Sequence, residues 1–333
     1  MTARRLSLLL LVLAVLGALG SAFLERGAIS LFGEYQLLLE TDPETAAILF
    51  WDIRLPRALL ALMVGASLGL SGAALQGLTR NPLAEPGLIG ASSGAALGAV
   101  VIFYFGLFGT TGLSLLSLPV GGLVGAGLSM IVLVALWGDD TRIATLVLAG
   151  VAINALTNAF VALLLTIAPS PFAIYEIMFW MMGSLADRSY DHVLIALPFM
   201  LAGWTMLLLS GRGLDAMTLG PESARSLGVS IRRTRFLTVM GTALCVGAAV
   251  SVSGVIGFVG LVVPHLVRPF TGHMPGASLL PSALAGAVLL VFADIGVRIL
   301  TPGVELRLGV VTAFIGVPFF VLLLLRAKRG LLA

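Results

Sequence analysis

Long runs with no Asp, Glu, Lys or Arg constrain this chain more than any other feature. They cover residues 6–24, 58–79, 86–138, 143–175, 192–211, 236–267, 269–293 and 308–325. A helix needs about 20 apolar residues to cross a bilayer, so these runs predict an all-α polytopic membrane protein with one transmembrane domain over residues 1–333. Hydrophobic residues make up 59% of the chain and charged residues 11%, with a mean hydropathy of +1.10. A soluble fold could not bury that much apolar surface, so membrane lipid must cover it. A cytosolic enzyme, a secreted module and a nucleic-acid binder are thereby excluded. The net charge of +3 reflects basic loops beside the membrane rather than affinity for nucleic acid. Cys245 is the sole cysteine, which excludes an internal disulfide and a Cys-rich metal site. The sole lysine, Lys328, is followed by Arg329, so no Walker A Gly-Lys-Ser/Thr exists here. If ATP drives this protein, another polypeptide binds it.

The run 86–138 is long enough for two spans, with a hairpin expected between Gly106 and Pro119. The run 236–267 holds either one long span or two that turn at Ser251–Gly254. Charge decides between them. Arg4 and Arg5 precede the first span, and Arg326, Lys328 and Arg329 follow the last. Basic flanks favour the cytoplasm, so both termini lie inside, the number of spans is even, and ten is the reading. That map puts thirteen of the 19 basic residues inside and six outside: Arg26, Arg54, Arg57, Arg188, Arg298 and Arg307. The first run also has the basic start and small-residue end of a signal peptide. Its length favours an uncleaved span. Gly65/Gly69, Gly90/Gly94/Gly98 and Gly121/Gly125 carry small-xxx-small spacing, which lets helix backbones approach, more simply within one chain than across a dimer seam.

Several polar features stand out against this background. The cytoplasmic segment 211–235 has local helical punctuation. Gly220 precedes Pro221, a good first helical residue. Glu222 suits a helix N-terminus, Ala224 and Leu227 share a face, and Gly228 stops the helix. A turn is expected from Gly213 to Thr218. A loop that merely fixed topology would need no such caps. On the outer side, Arg54-Leu-Pro-Arg57 precedes a span, and Pro56 is expected to keep Leu55 out of the helical region. Its two guanidiniums either snorkel at the interface or meet carboxylates of a docking partner. Asp294 and Arg298 are one helical turn apart and form either a structural ion pair or a functional one. Asn154, Thr157 and Asn158 make a polar strip that lines a water-filled path or bonds neighbouring helices. His265 has no second His or carboxylate nearby in sequence, so it makes a poor metal ligand. No nucleophile triad, phosphate loop or cofactor motif is legible, and no catalytic centre is expected.

Together these stretches resemble the permease subunits of type II ABC importers for iron chelates (siderophores, haem) and cobalamin. The matching segments are RLPR (54–57), GLSGAALQGLTRNPLAEPGLIGASSGA (69–95), LAGVAINAL (148–156), FWMMGSL (179–185), LGPESARSLGV (219–229), GVIGFVGLVVPHLVR (254–268), Asp294 with Arg298, and LGVVTAFIGVPFFVLLL (308–324). RNPLAEP and GFVGLVVPH are the most specific. The resemblance implies ten helices and a homodimer with the path between copies. It also implies two ATP-binding subunits inside and a periplasmic substrate-binding protein outside. By the same resemblance, Arg54, Arg57 and Arg298 would meet acidic residues of the binding protein. Asn81 and Leu83 would form the cytoplasmic gate. Gly220, Glu222, Ala224, Leu227 and Gly228 would seat in the ATPase as a coupling loop. The chain departs from the family at Ile143 to Thr145, at Leu306-Arg-Leu-Gly309, where Arg307 replaces a proline, and at Gly272–Gly276. A ten-helix secondary transporter of the drug/metabolite type is the alternative, and it should show a half-to-half repeat. A membrane scaffold is a third class, and it would need no arginines on its outer face.

Overall fold

A computed structural model describes residues 3–23, 40–105, 117–137, 143–168, 171–300 and 306–328. All regular structure among them is helical. In chain order the helices are α1 (Ala3–Phe23), α2 (Pro43–Thr79), α3 (Ala91–Phe105), α4 (Ser117–Trp137), α5 (Ile143–Thr166), α6 (Pro171–Met181), α7 (Tyr190–Thr218), α8 (Pro221–Ser226), α9 (Ile231–Ser253), α10 (Val259–Val267), α11 (Pro275–Leu300) and α12 (Leu308–Lys328). Seven are long and apolar enough to cross a membrane: α1, α2, α4, α5, α7, α9 and α11. Three shorter apolar helices accompany them, at 91–105, 259–270 and 308–323. Residues 106–116 of the expected hairpin lie outside the described residues, and Pro119 sits in the first turn of α4.

Two helices form the centre. In the most apolar stretch of α2, 83% of residues are buried, and in α9 78%, against 28–50% in the other long helices. The outer helices therefore turn leucine-rich faces away from the protein, including Leu8, Leu16, Leu128, Ile131, Leu148 and Leu163. Such faces have lipid or a partner as their natural cover.

The spaced glycines are seams within the chain. Gly98 of α3 lies against Gly125 of α4, where an added Cβ would come within 2.8 Å of the Gly125 backbone. A Cβ on Gly65 of α2 would lie 2.9 Å from Cα of Ala287 on α11 and overlap the Gly286 carbonyl. Backbones this close gain dispersion and leave no gap to fill. Gly65→Val should therefore force α2 and α11 apart at a cost of about 1–3 kcal/mol or more. Gly127, with nothing within 4 Å, should accept Val almost without effect. Thermal unfolding of the two variants in detergent compares them directly.

Two local expectations need correction. Pro56 does not keep Leu55 out of the helix. Leu55 is right-handed helical, and α2 runs through a π-helical turn at Leu49–Arg54 in which the Leu55 N–H bonds to the Phe50 carbonyl. The wider turn accommodates the missing proline donor and the clash its ring would cause. Nor is there a turn at Gly213–Thr218: α7 continues to Thr218. Asp215 is held there by the Gly276 N–H at 2.6 Å, and Gly213 fits closely against Thr234. The segment 211–235 thus splits into the end of α7, the short helix α8 and the start of α9.

The break at Gly254 is where the sequence put it. α9 ends at Ser253, and Gly254 adopts φ +69°. The Ser184 N–H donates to the Ser253 carbonyl at 2.8 Å, and the Gly309 N–H donates to the Gly183 carbonyl at 3.3 Å. Gly183, Gly254 and Gly309 therefore meet at one junction where a side chain on any of them would strike neighbouring carbonyls.

Candidate functional site

At the end of the bundle where α2 enters, three helices are tied by one Arg–Asp–Arg cluster. Arg57 Nε donates to Asp294 Oδ1 at 3.0 Å and Oδ2 at 3.1 Å, and its Nη2 donates to Oδ1 at 2.8 Å. Arg298 Nε stands 3.4 Å from Asp294 Oδ2. The Arg298 head also donates to the Ser21 carbonyl at 2.9 Å and to the Ser21 hydroxyl. Arg57, Asp294 and Arg298 are 8%, 1% and 7% exposed. Arg57 thus neither snorkels nor stands exposed, and the Asp294–Arg298 pair is formed. Burial removes their water, and the bidentate Asp294 pairing replaces it. The cluster fastens α1, α2 and α11 together. Arg54 is half-buried on the π-helical turn.

At the other end of α2, the chain leaves through Arg80 at φ +51°, whose guanidinium donates to the Met217 carbonyl of α7. Asn81 is exposed, and its Oδ1 accepts the Leu83 N–H at 2.9 Å, which shapes the turn. Leu83 packs with Phe258 against Leu261, Val262 and Leu323. It thereby plugs this segment against α10 and α12. Glu85 Oε1 accepts the Phe258 N–H at 2.7 Å. Burial pushes the Glu85 carboxyl above its ordinary range, partly offset by that hydrogen bond.

Behind this segment lies a cavity of about 350 Å³ lined by Glu85, Ser92, Ser93, Asn154 and Asn158, among others. Asn154 both faces it and bonds neighbours: Nδ2 donates to the Gly87 carbonyl at 3.1 Å, and Oδ1 accepts from Ser93 Oγ at 2.5 Å. Thr157 instead returns its hydroxyl to the Ile153 carbonyl of its own helix at 2.7 Å. An apolar groove of about 620 Å³ lies beyond Gly257 and Phe258, lined by Met182, Val310, Phe314 and Val317. The His265 ring stands edge-on to Phe319 at 5.6 Å, and the Arg307 guanidinium lies over the Phe179 ring at 5.1 Å.

The third locus is α8. Gly220 (φ +104°) is its N-cap and Pro221 its first residue. Gly228 (φ +79°) ends it, with the Val229 N–H closing back to the Ala224 carbonyl at 3.0 Å. Ala224 and Leu227 do not share a buried face. Ala224 is fully buried in the main core, whereas Leu227, the C-cap, is 64% exposed. Glu222 and Leu219 are also exposed. The result is a rigid knob presenting leucines to its surroundings.

Sequence reasoning missed one pairing and two residues of these loci. Arg57 finds its partner 237 positions away, which no local pattern could show. Gln76 donates to the Gly260 carbonyl at 3.2 Å and accepts from Arg268 at 2.8 Å, fastening α10 to α2. Glu85 had a legible signal, a lone carboxylate at the very edge of an uncharged run.

Comparisons with known proteins span nearly the whole chain. The profile of the FecCD transport family matches residues 9–326. The hemin transport system permease of Yersinia pestis is 42% identical over 330 residues, 96% of this chain and 95% of that one. The vitamin B12 import permease of Vibrio vulnificus is 37% identical, covering 96% and 94%. A solved structure of a metal-chelate type ABC transporter in an inward-facing conformation superposes with a TM-score of 0.84 at 31% identity, covering 97% of this chain and 99% of that one.

Proposed function

The chain belongs to the FecCD transport family and is a multi-pass ABC importer permease of the inner membrane, and from that premise we propose that it passes a bulky iron chelate (siderophore or haem) or cobalamin from periplasm to cytoplasm. The observation that carries the reading is the pairing of a cavity with a polar patch (Glu85, Ser92, Ser93, Asn154, Asn158) behind the Asn81–Pro86 segment with a capped, leucine-bearing knob at α8. The family match over nearly the whole chain disfavours a secondary transporter.

Ten membrane helices, with both termini cytoplasmic, are supported by the seven long and three short apolar helices. Two copies enclose the path, with the apolar groove on α12, where Phe314 is 77% exposed, suited to the partner copy. Asn81 and Leu83 form the cytoplasmic gate, and Asn154 and Asn158 line the path above it. The α8 knob, with Gly220, Glu222, Ala224, Leu227 and Gly228, couples each copy to one of two ATP-binding subunits. Nucleotide binding there and binding-protein docking at the outer rim stabilise different states, and alternating access requires just that difference. Arg54 is the docking arginine. Arg57 and Arg298 hold the helix ends that present it.

Charge reversal by Arg54→Glu should lower binding-protein affinity several-fold at low ionic strength. The deficit should shrink as salt screens the pair over about 8–10 Å. Basal ATPase activity of the complex should stay intact. Titration of the binding protein across a salt series checks this, and equal affinity at every salt would return Arg54 to simple interfacial anchoring. The function itself is tested by copurification of a stoichiometric nucleotide-binding subunit and by mass spectrometry of the ligand on the binding protein. A sodium- or proton-driven activity with no such subunit would overturn it.

A further inference from the structure

We propose that Glu85 is a positioning residue that ties the gate segment 81–86 to α10 and, through Phe258, to α12, so that the gate moves with these helices. The inference rests on the importer reading and adds a coupling element to it. Its basis is the way the two sides of the path meet. α10 is already fastened to α2: Gln76 Nε2 reaches the Gly260 and Leu261 carbonyls at 3.2 and 3.4 Å, and Gln76 Oε1 accepts from Arg268. Gly260 lies so close to Pro86 that a Cβ there would come within 2.7 Å of its Cδ. Onto this bracket Glu85 places a single carboxylate oxygen, 2.7 Å from the Phe258 N–H.

Phe258 is the N-cap of α10 and holds φ +67°, a conformation that a bulky residue rarely adopts unless its surroundings enforce it. A carboxylate at a helix N-terminus satisfies one of the unpaired donors there and complements the helix dipole. With its backbone so held, the Phe258 side chain fits against Gly316 of α12 and leaves no room for a Cβ on it. Glu85 lines the 350 Å³ cavity and Phe258 lines the 620 Å³ apolar groove, with Met181, Val255 and Gly257 common to both linings. The Glu85–Phe258 link is thus part of the wall between the two. Lost, it would let Phe258 relax from the left-handed region, free α12 from the gate segment and join the two spaces.

The need is for an acceptor at that reach, and charge is secondary. Glu85→Gln keeps an oxygen at the same distance, Glu85→Asp keeps the charge but shortens the arm, and Glu85→Ala removes both. The test uses the permease–ATPase complex in proteoliposomes with its binding protein, with hemin, cobalamin and a ferric siderophore as probes and phosphate release counted alongside uptake. The Asp and Ala variants should lose about tenfold in probe moved per ATP hydrolysed, the scale of a typical coupling free energy, while hydrolysis continues. The Gln variant should stay within about twofold of the parent. If Ala fails to assemble, the Asp and Gln pair carries the test. Parent-like stoichiometry in the Asp variant, or a Gln variant as defective as Asp, would overturn the proposal. A parent complex that moves none of the probes under ATP with the loaded binding protein present would overturn the importer reading instead.

Discussion

Asp294→Ala should be the most damaging single substitution in the chain, costing about 3–5 kcal/mol and leaving little folded protein in the membrane. The carboxylate is 1% exposed and stands between two guanidiniums that are themselves 8% and 7% exposed. Without it, two buried guanidiniums face each other with the carboxylate they share removed. Arg298 would keep its bonds to Ser21, but Arg57 would lose all three of its hydrogen bonds to Asp294. The cost arises from removing the anion between two buried cations rather than from any large net worth of the triad. The combined apolar replacement Arg57→Met, Asp294→Leu, Arg298→Met should therefore recover most of the loss. Thermal unfolding of detergent-purified protein compares the two. Equal melting of Asp294→Ala and the parent would show that the cluster is hydrated in the membrane.

The second large effect is expected at α8. Leu227→Asp should lower ATP-coupled uptake by one to two orders of magnitude with the permease itself intact. Leu227 is 64% exposed and Leu219 is 65% exposed, so neither supports the core, and a charge there costs the fold almost nothing. In a docked ATPase groove the same leucine becomes a desolvated anchor, and truncating such a residue typically costs about 2 kcal/mol or more of binding. Ala224 behaves in the opposite way. It is fully buried, so Ala224→Leu should damage the knob itself by overpacking. Copurification of the ATPase subunit, uptake and melting temperature separate the two cases. Normal transport after replacing residues 219–228 with serines would sink the coupling role.

What the sequence revealed here was whatever is local. Uncharged runs located the helices, because lipid demands an unbroken apolar stretch. Gly220, Pro221 and Gly228 delimited α8, because caps are settled within one turn. Gly254 marked the break after α9, and the spaced glycines marked the seams. The Asp294–Arg298 pair was legible because i,i+4 fixes it. The Arg57–Asp294 pairing was not legible because the two residues lie 237 positions apart. The π-helical turn before Pro56 was missed since proline usually ends a helix, and only the packing of α2 shows that this one continues. Leu227 and Ala224 looked equivalent on a helical wheel, but the helix ends at Ser226, so Leu227 leaves the face that Ala224 occupies. Glu85 stood within the most specific motif of the chain, yet its acceptor role depends on a left-handed residue, Phe258, that composition cannot reveal.

ATP-driven uptake in proteoliposomes containing this permease, its ATPase partner and a chelate-loaded binding protein tests the central claim most directly. Probe should accumulate only with ATP, only with the ATPase partner, and at parental levels with an ion gradient collapsed; Leu227→Asp should lower it by one to two orders of magnitude. Accumulation driven by a proton or sodium gradient without the ATPase partner, undisturbed by Leu227→Asp, would contradict the account.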